Sequence, residues 1–188
     1  MCCDEFDMSC GFLFLGRTQC RCKPGMWQRP LERDAASMPA SPATIGAMTT
    51  PPAITRATLE ATLRGSPFQE ILGLSLEKFD AAAQTLSLRA AYGPQVERSA
   101  GTGQYHGGVI ASLIDIAGDF ALIAVLGYGV PTINFRVDYL RPATKTDLIA
   151  EARVRRAGRT IGVVDIDVLD DQGRLIALGR GCYGTQAG

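Results

Sequence analysis

The stretch GGVIASLIDIAGDFALIAV, residues 107–125, decides the fold. It is the longest apolar run in the chain and nearly spans a bilayer, but Asp115 and Asp119 interrupt its middle, where a charge is costly to insert. The run therefore reads as a helix buried in a water-soluble domain, ending near Gly127 and Gly129. Steps of three and four place Ser112, Asp115 and Asp119 on one stripe of that helix. A buried carboxylate without a partner costs several kcal/mol, so each aspartate needs a cap, an ion pair, solvent or a chemical task. The ordinary meaning is structural; the sharper one makes Asp115 catalytic.

Working outward, a glycine-rich loop, Gly101 to Gly108, leads into the helix. Before it, Leu72 to Phe79 and Thr85 to Tyr92 alternate as two strands joined through Asp80 to Gln84, a hairpin. Ile54 to Arg64 has the spacing of a short amphipathic helix that Gly65 and Pro67 stop. After Pro131 the period becomes two: Ile133, Phe135, Val137 and Tyr139 share one face, and Thr132, Asn134, Arg136 and Asp138 the other, as in a half-buried strand. Leu148 to Arg156, Thr160 to Leu169 and Arg174 to Tyr183 follow as three more strands with short antiparallel links. A strict two-residue turn at Ala157-Gly158 would carry Asp165 and Asp167 inward, so a bulge is expected, with Gly162 its natural site, to turn Val164, Ile166 and Val168 to the core. The order β-β-α-β-β-β-β predicts an α+β domain in which a curled antiparallel sheet wraps one helix.

Composition narrows the function. The 188 residues include 46% apolar and 20% charged side chains, which suits one ordinary core. Lysine plus arginine and aspartate plus glutamate each number 19, so the chain lacks the positive field of a nucleic-acid binder. Five of six cysteines (Cys2, Cys3, Cys10, Cys20, Cys22) precede the patterned region, without a Cys-x-x-Cys, and His106 is the single histidine. That is a poor zinc set, and it fits a reduced cluster in a cytoplasmic protein. The N-terminus opens with Asp4, Glu5 and Asp7 and shows no export signal. Residues 1–52 have no period and are punctuated by Pro39, Pro42, Pro51 and Pro52; they read as a disordered extension or a leader, with the true start at Met38 or Met48 and one domain over 53–188.

His106-Gly107-Gly108 stands at the start of the buried helix, where free N–H groups and the helix dipole favour negative charge. Glycine lets a carbonyl approach the backbone closely, so the turn suits an oxyanion. A serine hydrolase is disfavoured, because no G-x-S-x-G elbow exists and the only histidine sits in this turn. Gly101-x-Gly103 lacks the third glycine of a dinucleotide fingerprint, since position 106 is His106.

His106-Gly107-Gly108-Val-Ile-Ala-Ser-Leu-Ile-Asp115 resembles the HGG-(x)6-D signature of hot-dog thioesterases of the phenylacetate-degradation (PaaI-like) type. Val137-Asp138-Tyr139-Leu140-Arg141-Pro142, Gly158-Arg159-Thr160 and Gly173-Arg174-Leu175-Ile176-Ala177 extend the likeness over residues 65–185. The resemblance implies a hot-dog fold and hydrolysis of acyl-CoA-type thioesters, without metal or cofactor. It makes Asp115 the general base or nucleophile, Gly107 the oxyanion donor, Thr132 a water-placing hydroxyl and His106 the organiser of the catalytic turn. Gly108, Gln104, Ser112 and Asp119 would face substrate, and Arg159, with Arg156 behind it, would meet the CoA phosphates. It further implies a homodimer or homotetramer with sites shared between subunits. One departure stands out. Relatives commonly carry asparagine or glutamine six residues before the histidine, where this chain has Ala100; Gln104 or Ser99 would have to substitute. That absence supports an alternative, a non-catalytic acyl-CoA-binding or regulatory module. A hot-dog dehydratase fits less well, since no aspartate lies five residues before His106.

Overall fold

The computed structural model describes residues 54–186. The cysteine-rich segment, the alternative starts and the proposed extension over 1–52 lie outside them. In chain order the elements are α1 (Arg56–Arg64), α2 (Pro67–Ile71), β1 (Leu74–Asp80), β2 (Thr85–Ala90), a single 3-10 turn (Pro94–Val96), α3 (Gly107–Leu126), β3 (Thr132–Tyr139), β4 (Leu148–Ala157), β5 (Ile161–Asp170) and β6 (Leu175–Gly184). The six strands form one antiparallel sheet in the order β1-β2-β4-β5-β6-β3, wrapped around α3.

The first helix forms for local reasons. Thr55 accepts a hydrogen bond from Thr58 N–H, and α1 then buries Leu59 and Leu63. Arg56 Nη2 donates to Leu76 O at 2.6 Å, tying α1 to β1. Pro67 does more than stop this helix, because it occupies the first turn of α2, where a missing N–H costs nothing.

α3 is the core. Leu113, Ile114, Ala117, Phe120 and Leu122 are all but inaccessible to water. They pack against Leu86 and Leu88 of β2, Ala150 and Ala152 of β4, Val164 and Ile166 of β5 and Ile176 of β6. Burying each larger aliphatic side chain contributes about 1.5–3 kcal/mol, which makes this layer the main source of stability. Tyr183 lies between helix and sheet because Gly118 and Gly181 leave room for it: a methyl group at either position would overlap its hydroxyl. Gly127 ends the helix in the left-handed region (φ 88°), its N–H donating to Ile123 O.

Two strands differ from expectation. Val164, Ile166 and Val168 do face the core, but the bulge that sets this register lies at Arg155 on β4, between the Val154/Val164 and Arg156/Val163 pairs, and not at Gly162. The difference is steric. Gly162 is a buried position where a side chain would collide with Leu122, whereas the extra residue at Arg155 projects to solvent and binds Asp165. β3 is not half-buried within the protomer: it is an edge strand, with Ile133 55% and Tyr139 54% exposed. A second irregularity between Thr132 and Asn134 inserts Ile133 as an extra residue. Thr132 is thereby turned to the helix side, opposite to the simple alternation.

Candidate active site

The glycine turn is built from a short loop. His106 is the N-cap of α3, and its Nδ1 accepts from Gly108 N–H at 2.9 Å. Its own N–H donates to Val96 O, and its carbonyl accepts from Val109 N–H. His106 therefore organises the turn and takes up the Gly108 amide. Gly107 N–H, by contrast, has no hydrogen-bond partner among the described residues. The nearest atoms to a Cβ at Gly107 would be those of the Tyr139 ring, at an ordinary 3.5 Å, so the described packing does not demand glycine there.

The loop before this turn is anchored by Glu97, a residue the sequence pattern did not single out. It accepts a short hydrogen bond from Tyr92, which, helped by the amides of Gly101, Thr102 and Gly103, holds its carboxyl below the usual range against the opposing effect of burial. Ala100 is exposed on this loop, and so is Ser99, whose carbonyl accepts from Thr102. Gln104 instead lines a cleft of about 550 Å³ together with His106, Gly107, Arg98, Tyr139 and Arg141. Of the two candidates to replace the missing amide side chain, the structure places Gln104 beside Gly107. Tyr139 Oη donates to Gly107 O at 2.9 Å, fixing the peptide from the other side. Arg98, Tyr139 and Arg141 line this cleft without having been singled out for it: Arg98 sits on the loop itself, and Tyr139 and Arg141 reach the turn from more than thirty residues along the chain.

Further along α3 the polar stripe resolves into three roles. Ser112 Oγ donates back to Gly108 O at 2.9 Å, an internal helix contact. Asp115 Oδ1 accepts from Thr132 Oγ1 at 2.9 Å, while its backbone carbonyl accepts from Tyr183 Oη at 3.1 Å. Its Oδ2 has no partner among the described residues, and the side chain is part-exposed. Asp119 Oδ1 accepts from Val130 N–H at 3.2 Å. Burial is the main cause that pushes Asp119 up to about 6; the Val130 bond opposes it and the charge of Asp115 adds to it.

Asp115 and Thr132 are thus brought together within one protomer. Gly107 is not: eight residues of helix separate it from Asp115, or about 12 Å of rise. The arginines lie elsewhere again. Arg159 and Gly158 line a second cleft of about 550 Å³ at the far end of α3, with Leu126, Tyr128 and Thr185, and Arg156 covers Gly158. Arg155 is committed to Asp165 at 2.7 Å on the outer face of the sheet.

Comparison with known proteins places this geometry. The thioesterase superfamily model matches residues 102–177, from the glycine loop to β6. A Halobacterium salinarum protein that carries an esterase name is 40% identical over 123 residues, which are 60% of this chain and 80% of that protein. The acyl-coenzyme A thioesterase PaaI of Escherichia coli is 38% identical over 77 residues, 40% of this chain and 54% of its own length. The solved structure of E. coli PaaI, from the phenylacetic acid degradation operon, superposes with a TM-score of 0.60 at 26% identity, over 68% of this chain and 89% of that one. A solved protein of the thioesterase superfamily gives a TM-score of 0.65 at 34% identity, over 69% and 96%. With the six-stranded sheet, the central helix and the glycine turn in place, the chain belongs to the thioesterase superfamily, as a hot-dog protein of the PaaI type.

Proposed function

We propose that the protein hydrolyses acyl-CoA-type thioesters to a free acid and a thiol, as a homodimer in which each site takes its glycine turn from one protomer and Asp115 with Thr132 from the other. The observation that carries the reading is the pairing of an unengaged Gly107 N–H with a part-exposed, singly bonded Asp115 carboxylate, too far apart along one helix to act on the same carbonyl. The edge strand β3 supports the dimer. It leaves one side of its backbone unpaired and exposes Ile133, Phe135, Tyr139 and Leu140. A second copy pairing there about a two-fold axis continues the sheet and sets the two central helices side by side. The names of the similar proteins favour the same chemistry.

In this mechanism the thioester carbonyl oxygen points at Gly107 N–H, and Asp115 Oδ2 takes a proton from a water held with Thr132 Oγ1. The resulting hydroxide adds to the carbonyl carbon. Gly107 N–H and the N-terminus of α3 stabilise the oxyanion, a contribution of about 3–4 kcal/mol for one donor. Collapse breaks the C–S bond, and the proton held by Asp115 passes to the leaving thiolate. Arg159 and Arg156, at the other end of α3, then reach the carrier phosphates only of a substrate whose carbonyl lies in a site completed by the second protomer.

A free-thiol release assay over a panel of acyl-CoAs, with molar mass measured by light scattering, tests this reading. Thiol release by a dimer or larger assembly, lost in Asp115→Asn, is the expected result. Tight acyl-CoA binding without release would instead establish the non-catalytic module, which exposed Ala100 in place of an amide side chain favours.

A further inference from the structure

We propose that Asp119 is a positioning residue for hydrolysis: through Val130 N–H it holds the start of β3 against α3, and so keeps Thr132 on Asp115. The inference rests on the catalytic role proposed for Asp115. Its geometry is a pair of ties between the same two elements. Asp119 takes Val130 N–H at 3.2 Å; two residues further along the chain, and one turn earlier on the helix, Thr132 Oγ1 reaches Asp115 Oδ1 at 2.9 Å. Between the ties, Pro131 O accepts from Gly184 N–H at 2.8 Å, which fastens the same segment to β6. The segment needs fastening, because Ile133 is the inserted residue of a bulge, and without a fixed start the register at Thr132 is free to slip back. Such a slip turns Thr132 away from the helix.

Asp119 is an expensive choice for this task. Val130 is buried and one acceptor suffices for its N–H; an asparagine would supply it without the burial that pushes the Asp119 carboxyl up to about 6. The titratable groups that feel Asp119 are Asp115 on its own helix and Tyr183 from β6. The neighbouring strands β4 and β5 present Ala152, Val154, Val164 and Ile166 to the helix. Ionisation of Asp119 strengthens its grip on the Val130 amide, and protonation weakens it.

The test uses the full chain, with Asp119→Asn retaining an acceptor and Asp119→Leu filling the space without one. At pH 7 Asp119→Leu lowers kcat by about tenfold with KM within about twofold, and Asp119→Asn keeps kcat within about twofold. In a Thr132→Val background Asp119→Leu has no further effect on kcat, since the group it positions is gone. Unchanged kcat in Asp119→Leu, or equal losses in both variants, overturns the inference. A crystal structure of Asp119→Leu reads it independently of activity. A displaced β3 start with the Thr132–Asp115 bond open supports it, and an intact bond overturns it even if the wild type releases no thiol from any acyl-CoA.

Discussion

The two turns of α3 that carry Asp115 and Asp119 present the same side chain on the same stripe, yet the structure treats them differently. Asp115 receives a hydroxyl from the neighbouring strand and keeps one oxygen without a partner among the described residues; Asp119 spends an oxygen on a backbone amide, and burial raises its carboxyl. The difference arises in the segment that follows the helix, whose N–H at Val130 and hydroxyl at Thr132 reach successive turns. On the proposed reading, Asp115, with a rotatable donor and open space, serves the reactant, while Asp119, with a fixed donor and burial, serves positioning. The largest expected effect tests this division. Asp115→Asn or Asp115→Ala lowers turnover by on the order of 10²–10⁴ with the melting temperature nearly unchanged, as thiol-release kinetics and a thermal melt will show. Turnover near the wild-type value would remove Asp115 from the chemistry and erase the distinction.

A second contrast separates the side-chain half of the site from its backbone half. Gly107→Ala keeps the N–H but puts a methyl group where the proposed mechanism brings the carbonyl, and the nearest atoms of the chain to that methyl are those of the Tyr139 ring, at an ordinary contact distance. The expected outcome is a loss of kcat/KM on the order of 10² in a protein that melts like the wild type. A variant that unfolds would mean instead that glycine serves the turn and not the substrate. Thr132→Val is milder: the shape is kept and one hydrogen bond to a carboxylate is lost, so kcat falls by about tenfold, with Thr132→Ser restoring most of it.

These contrasts mark where the sequence was legible. The central helix, the order of elements along the chain and the stripe of Ser112, Asp115 and Asp119 follow from apolar period, because a long buried helix and short linked strands leave few arrangements. The HGG turn was readable as the N-terminus of that helix, since a glycine pair before a long apolar run marks a helix start with unpaired donors. Bulges were not placed correctly, because an inserted residue changes register without changing composition. Arg155 took the insertion assigned to Gly162, and Ile133 reversed the facing of Thr132. Edge and interior strands share one alternation, so β3 looked half-buried although its apolar side chains are open in the protomer. The fit of Tyr183 against Gly118 and Gly181 depends on residues more than sixty positions apart, and no local pattern signals it.

The smallest expected effect sharpens the contrast between the two aspartates through stability. Burial raises the Asp119 carboxyl from 3.8 to about 6, so between those values the folded protein holds a proton that the unfolded chain releases. The contribution of this group is therefore favourable below about 4 and is lost as pH rises through about 6. Asp119→Asn removes the titration while retaining an acceptor for Val130. The variant should match the wild type near pH 4 and melt a few degrees higher above pH 6, with the gap opening across that window. Thermal melts at a series of pH values measure it directly. A gap of constant size would assign the difference to packing, and a gap of opposite sign would mean that the ionised carboxylate is bound more strongly in the fold than one amide contact accounts for.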